Sequence, residues 1–168
     1  MRMRREEKDN TNEESIQSIL TENEVCHLAL VGKDLQPYVL PMNFVHIKGV
    51  VFMHSARSGR KIDMIKNNSK VCLEIYESKG LRPVNDVEKD AVCNSSTIYR
   101  SLIANGEAGF VTDLELKQKV LTAMCDKMYR NTGMVMKYKM TPRHVEAVCL
   151  IAVKLSDIKV KQTADWEQ

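Results

Sequence analysis

Between Val25 and Ser55 the chain runs through three short apolar stretches, and the turns between them leave little freedom. Val25 to Gly32 ends at the turn Lys33-Asp34, Gln36 to Ile47 ends at Lys48-Gly49, and Val50 to Ser55 follows. Strands joined so tightly must be antiparallel neighbours, because a parallel return needs a crossover of a dozen residues or more. Pro37 and Pro41 inside the second stretch suit an edge or a bulge, where a missing N–H does no harm.

The same reading extends along the chain. Thr11 to Glu14 has the T-x-x-E form of a capping box, and Ile16, Ile19 and Leu20 follow at helical spacing, which predicts a helix over Asn12 to Leu20. Ser58 to Asn67 reads as a short helix capped by Ser58, with Ile62 and Ile65 facing inward. Val71, Leu73 and Ile75 alternate with Cys72, Glu74 and Tyr76, the mark of a half-buried strand. Lys79 to Ser95 has no period and reads as a long loop. Thr97 to Val111 is a long strand expected to bend at Gly106 or Gly109. Leu114 to Tyr129 is a helix with Leu114, Leu121, Met124 and Met128 on one face. Asn131 to Met140 is a polar connection, Val145 to Leu155 is a last strand, and the tail to Trp166 is polar, with Trp166 at a surface or an interface. About six antiparallel strands with three or more helices outside them hide their edges best as a barrel. No GxGxxG follows a strand, which argues against a Rossmann domain.

Length and charge remove several classes of function. The 168 residues are one domain's worth, with a core over about 14–155. A net charge of +3, with no long basic block, argues against nucleic acid. The charged opening MRMRREEKDN is neither a signal peptide nor a membrane span, and the expectation is a cytoplasmic protein without a membrane partner. The five cysteines form no CxxC pair, and Cys26, Cys72 and Cys149 fall in strand-like runs as small, reduced core residues. His27, His46, His54 and His144 show neither i, i+4 pairing nor a carboxylate at ligand spacing, so no metal site is expected.

The chemistry concentrates in Pro41 to Asn68. A strand ends at His54-Ser55, and a helix begins near Ser58 with Gly59, Arg60 and Lys61 in its first turn. A helix start is already positive, because its first N–H groups lack partners. Two bases there mark either a solvated basic turn or a seat for an anion, with Arg60 as a bidentate fork and Lys61 as a point charge. Asn43, between Met42 and Phe44, either satisfies nearby backbone or faces a polar ligand.

The runs PYVLPMNF, VVFMHSARSGRKIDMIKNN, VCLEI and CNSSTIYRSLIANGEAGFV together resemble the pyridoxamine-phosphate-oxidase-like proteins, and most nearly their nitroimidazole-resistance branch. The resemblance runs from about Glu14 to Leu155 and is most specific at His54 to Asp63 and at Tyr99-Arg100-Ser101. It implies a mainly-β α+β fold, a six-stranded antiparallel Greek-key split β-barrel with flanking helices, working as a homodimer with FMN at the interface. It further implies that Pro41, Met42, Asn43 and Phe44 lie along the flavin ring, largely through backbone. Met53, His54 and Ser55 would pass the ring and ribityl chain, and Gly59, Arg60 and Lys61 would hold the phosphate. Tyr99, Arg100 and Ser101 would come from the second subunit. Cys93 falls where nitroimidazole-resistance relatives often carry a cysteine. The tail KVKQTADWEQ offers Lys159 and Lys161 but lacks the Arg and His with which the oxidases proper seize a substrate phosphate.

The function these features imply is an FMN-dependent oxidoreductase that reduces a small, flat, electron-poor molecule such as a nitroimidazole, with His54 as a proton donor or ligand contact. No nicotinamide-binding motif identifies the electron donor. A split barrel that holds flavin or haem without turnover is the alternative, and oxidation of pyridoxamine phosphate is a minor one.

Overall fold

The computed structural model describes residues 4–82, 96–130, 132 and 140–167. Six strands, β1 (Val25–Val31), β2 (Pro37–Ile47), β3 (Val50–Ser55), β4 (Lys70–Leu81), β5 (Thr97–Val111) and β6 (Cys149–Gln162), close into a barrel. Their order is β1-β2-β3-β6-β5-β4, and every pair is antiparallel. The pairings β3–β6 and β1–β4 join strands distant in sequence, which is the Greek-key element of the fold. Among the described residues there are four α-helices: α1 (Glu13–Glu22), α2 (Arg60–Asn67), α3 (Leu114–Arg130) and α4 (Pro142–Ala147). No helix there is long and apolar enough to cross a membrane.

The period-two pattern of the strands divides the core. Leu28, Phe44, Met53, Leu73, Leu102, Ile151 and Val153 fill the barrel together with Ile62 and Ile65 of α2. Val45, Phe52 and Leu150, which point the other way on β2, β3 and β6, form a second core with Val120, Leu121 and Met124 of α3 and Val145 of α4. Gly106 sits where β5 and β6 press together: a Cβ there would meet Val153 Cγ1 at 2.7 Å. The slip in the ladder lies just before it, between Ile103 and Asn105.

Several local expectations are corrected. Asn12, rather than Thr11, caps α1 by accepting the Ser15 N–H, and Thr11 Oγ1 accepts the Val160 N–H instead. Gly59, not Ser58, is the residue before α2. The buried face of α3 is Lys117, Val120, Leu121, Met124 and Lys127, while Leu114 and Met128 are exposed. The segment 145–155 is not one strand: Val145 ends up in α4, and β6 starts at Cys149 and runs to Gln162. Lys79 to Leu81 belong to β4. Cys93 and the rest of that loop, 83–95, lie outside the described residues, as do 131 and 133–139 of the connection before α4. Trp166 is buried, not on a surface.

Lys127 shows why an amphipathic reading of α3 fails there. Its ammonium donates to the Leu20 carbonyl at 3.0 Å in the last turn of α1 and lies 4.1 Å from the Phe44 ring centre. A cation closing a helix C-terminus is favourable, and the long stem packs as a hydrocarbon. Burial nevertheless lowers its pKa to about 8, with Glu24 and Cys26 opposing and Arg130 adding to the fall. A lysine whose folded pKa is depressed binds fewer protons folded than unfolded in the window from about 8 to the ordinary 10.5. Stability therefore rises with pH across that window. Urea unfolding at pH 7.5 and pH 9.5 is expected to show wild type gaining stability relative to Lys127→Met at the higher pH. A constant gap between the two proteins would refute the depressed pKa.

Candidate functional site

The barrel opens beside α2. Strands β2 and β3 pair only from Phe44–Met53 to Ile47–Val50, so beyond Phe44 and Met53 the two strands part. The Pro37 to Asn43 half of β2 keeps β1 on one side and, among the described residues, has no strand on the other. Both prolines fall on this half, which explains how β2 tolerates them. On the far side of the opening, β3 follows β6 to its end at Ser55–Cys149.

The side chains of Met42, Phe44 and Met53 are buried in the barrel core, so these residues turn only backbone toward the opening. Pro41 and His54 are exposed. Asn43 is half-buried, and its Nδ2 approaches the Glu24 carbonyl at 3.5 Å. Ser55 is 6% exposed, and its buried hydroxyl has no hydrogen-bond partner among the described residues. A buried hydroxyl left unpaired is costly, by about 1–3 kcal/mol.

Gly59 enters α2 at φ 120°, a backbone region that is left essentially to glycine, and no side chain caps the helix. The Ile62 and Asp63 N–H groups both turn back to the Gly59 carbonyl. The N–H groups of Arg60 and Lys61 precede these first bonds. Arg60 lays its guanidinium 4.4 Å from the Tyr38 ring centre, and Lys61 Nζ lies 3.6 Å from Met42 Sδ, so the first turn of α2 is seated against the open half of β2. Among the described residues neither base is in an ion pair. Uncapped N–H groups, two unpaired bases and an orphaned hydroxyl make a donor set suited to a phosphate.

Sequence reasoning passed over a neighbouring hollow. A cavity of about 460 Å³ opens beside the loop after Ser55, lined by Arg57, Phe110, Lys117, Glu146 and Cys149 among others. Burial pushes the Cys149 thiol up, while Lys117, Lys66, Arg57 and Lys61 pull against it. Four cations therefore act on this thiol, Lys61 and Lys66 of α2, Lys117 of α3 and Arg57 of the loop between β3 and α2, and Arg57 and Lys117 line the cavity itself. Arg57 stood in the run read for chemistry, and Lys117 shares the face of Leu121 and Met124 by spacing, but its charge reads as solvent-facing.

Tyr99, Arg100 and Ser101 lie elsewhere. Ser101 is ten residues from Val111, whose partner Leu150 also pairs with His54. At about 3.3 Å per residue that is roughly 30 Å of strand. One chain does not bring the triplet to α2. The Arg100 side chain is engaged within its own chain. It is 7% exposed and bonds Glu22, Glu77 and Ser18, with Trp166 4.9 Å away. The other histidines are engaged structurally: His27 pairs with Glu74, His46 accepts the Gly49 N–H, and His144 completes the capping box of α4. Among the described residues no group of three or more His, Cys, Asp or Glu could hold a metal.

A family model described as pyridoxamine 5'-phosphate oxidase matches residues 12–162. No curated protein matches the chain significantly. Among solved structures, a candidate 5-nitroimidazole antibiotic resistance protein from Bacteroides thetaiotaomicron is 24% identical, with a TM-score of 0.74 over 91% of this chain and 85% of that one. The flavocytochrome Anf3 from Azotobacter vinelandii is 18% identical, with a TM-score of 0.78 over 97% and 72%. The FAD and haem binding protein from Mycobacterium smegmatis is 19% identical, with a TM-score of 0.76 over 95% and 75%. At these identities the likeness is one of fold.

Proposed function

The chain belongs to the pyridoxamine 5'-phosphate oxidase family, and on that premise we propose that it is an FMN-binding flavoprotein that reduces a small, electron-poor substrate such as a nitroimidazole. The observation that carries this reading is the start of α2. The uncapped helix start at Gly59, with Arg60 and Lys61 in no ion pair among the described residues, follows four residues after Ser55, whose buried hydroxyl has no described partner. Those four residues would hold the phosphate. Backbone along Pro41 to Phe44, open on one side, would meet the polar edge of the ring, and Met53, His54 and Ser55 would line its other flank. Bound flavin supplies the electron transfer. His54, exposed at the opening, would orient the substrate or pass it a proton.

The reading includes a homodimer. Tyr99 and Ser101 lie too far from α2 in their own chain, so they serve a flavin only from the partner, with Arg100 bracing their strand. Pyridoxamine-phosphate oxidation is disfavoured by the tail lysines: Lys159 pairs with Asp9, and Lys161 lies 5.8 Å from the Tyr99 ring centre.

Two of the three neighbours described above bear names that include haem or a cytochrome, which keeps a binding protein without turnover as the second reading. One experiment separates them. The FMN-loaded protein, reduced anaerobically and mixed with a 5-nitroimidazole, is expected to reoxidise within seconds to minutes, faster than free reduced FMN. A flavin that stays reduced would favour the binder.

A further inference from the structure

The hollow beside Arg57 holds an uncommon group, a buried cation with no ion-pair partner among the described residues. Lys117 is 7% exposed, and its ammonium donates to the Val148 carbonyl at 2.8 Å. Among the described residues neither Lys117 nor Arg57 forms an ion pair. An ammonium has three donors, and a buried charge is stable only when it is paired. Lys117, its acceptor Val148 and Arg57 all line the cavity, so both cations border one space. The start of α3 adds no anion seat of its own. Asp113 accepts the Leu116 N–H at 2.6 Å with its side chain and the Lys117 N–H at 3.0 Å with its carbonyl. Any grip on an anion therefore rests on the two side chains.

Charge and shape narrow the ligand. Arg57 and Lys117 bring two positive charges to the lining and Glu146 one negative, a balance suited to a monoanion. A phosphate dianion would overshoot that balance and meet the Glu146 carboxylate as a like charge. Phe110 and Leu114, 36% and 51% exposed, form an apolar wall that a flat body would cover. A volume of about 460 Å³ falls in the range of small-ligand pockets. None of Ser55, Gly59, Arg60 and Lys61 lines it, so the site is separate from the start of α2.

We propose that this cavity is a second binding site, which takes a small monocarboxylate with a flat apolar body. Lys117 and Arg57 grip the carboxylate, Phe110 and Leu114 cover the body, and Glu146 turns dianions away. The site stands on its own lining and holds whether or not a flavin sits at α2.

The test is a set of calorimetric titrations of the full chain with benzoate, with its neutral isostere benzamide and with inorganic phosphate. Wild type is expected to bind one benzoate per chain, at least about tenfold more tightly than benzamide, the worth of one charge-assisted contact. Phosphate should bind more weakly than benzoate. Lys117→Met keeps the stem's packing and Arg57→Ala changes an exposed residue, so both variants are expected to fold. Each should bring benzoate down to the affinity of benzamide, whereas Arg60→Ala should leave benzoate binding as it is. Equal affinities for benzoate and benzamide, or no saturable benzoate binding, overturn the proposal. So does benzoate binding that survives both Lys117→Met and Arg57→Ala. Loss of benzoate in Arg60→Ala would move the anion to α2, and tighter binding of phosphate than of benzoate would overturn the monocarboxylate assignment.

Discussion

Replacing Arg60 and Lys61 together with alanine is expected to weaken FMN binding by about a hundredfold or more, while the much weaker binding of riboflavin stays nearly unchanged. Each charge-assisted hydrogen bond to a phosphate is worth roughly 1.5–3 kcal/mol, and two of them amount to at least two decades in affinity. The fold should survive the change. Arg60 is exposed and Lys61 half-buried, and α2 is anchored by Ile62, Met64 and Ile65 on its opposite face. The lost contacts to Tyr38 and Met42 are minor beside that anchorage. Circular dichroism checks the fold, and paired titrations with FMN and riboflavin check the site. An FMN affinity within a few-fold of wild type would overturn the phosphate assignment. An equal loss for riboflavin would mean that the two bases grip the ring rather than its phosphate.

Arg60 and Lys61 were visible in the sequence because they break a rule: bases stand where a helix start favours acids. The barrel was visible for a similar reason, since two-residue turns between short apolar runs allow only antiparallel neighbours. What stayed hidden depended on contacts between distant segments. Lys117 and Lys127 are of a residue type ordinarily read as solvent-facing, yet each finds a backbone carbonyl of another element, Val148 or Leu20. Thr11 has the spacing of a cap but bonds to Val160, which is far along the chain in β6. The polar tail after Leu155 continues β6 because its backbone pairs with β5 as far as Gln162, whatever its side chains. The resemblance placed Tyr99, Arg100 and Ser101 at a flavin. Local pattern gave no sign that Arg100 already had carboxylate partners within its own chain.

Arg100→Ala is therefore expected to act on stability first, with a loss of about 3–5 kcal/mol, as when one partner of a buried ion pair is removed. The guanidinium side chain is 8% exposed, and its Nε and Nη2 atoms engage the two Glu77 oxygens side by side. Nη2 also reaches Glu22 at 2.5 Å, and Nη1 reaches Ser18 at 2.9 Å. Without it, Glu77, whose side chain is only 21% exposed, keeps its charge in poor solvent. The damage spreads to the tail. Trp166 lies against Arg100 on the one hand and Lys79 on the other, and Lys79 also donates to the Trp166 carbonyl. Asp165 pairs with Arg82, and Thr163 bonds the Tyr99 backbone, so the tail is tied to the strand that carries the triplet. Trp166 is the one tryptophan of the chain, and its fluorescence therefore reports this junction directly. In urea, Arg100→Ala should unfold at a clearly lower midpoint, and its folded-state emission should shift red as Trp166 meets water. Arg100→Lys should recover only part of the stability, because an ammonium cannot span both Glu77 oxygens at once. FMN affinity, measured where the variant is still fully folded, should fall far less than in the Arg60 and Lys61 variant. A variant with unchanged midpoint and emission that has lost FMN would restore Arg100 to the flavin site and overturn its role in holding Glu22 and Glu77.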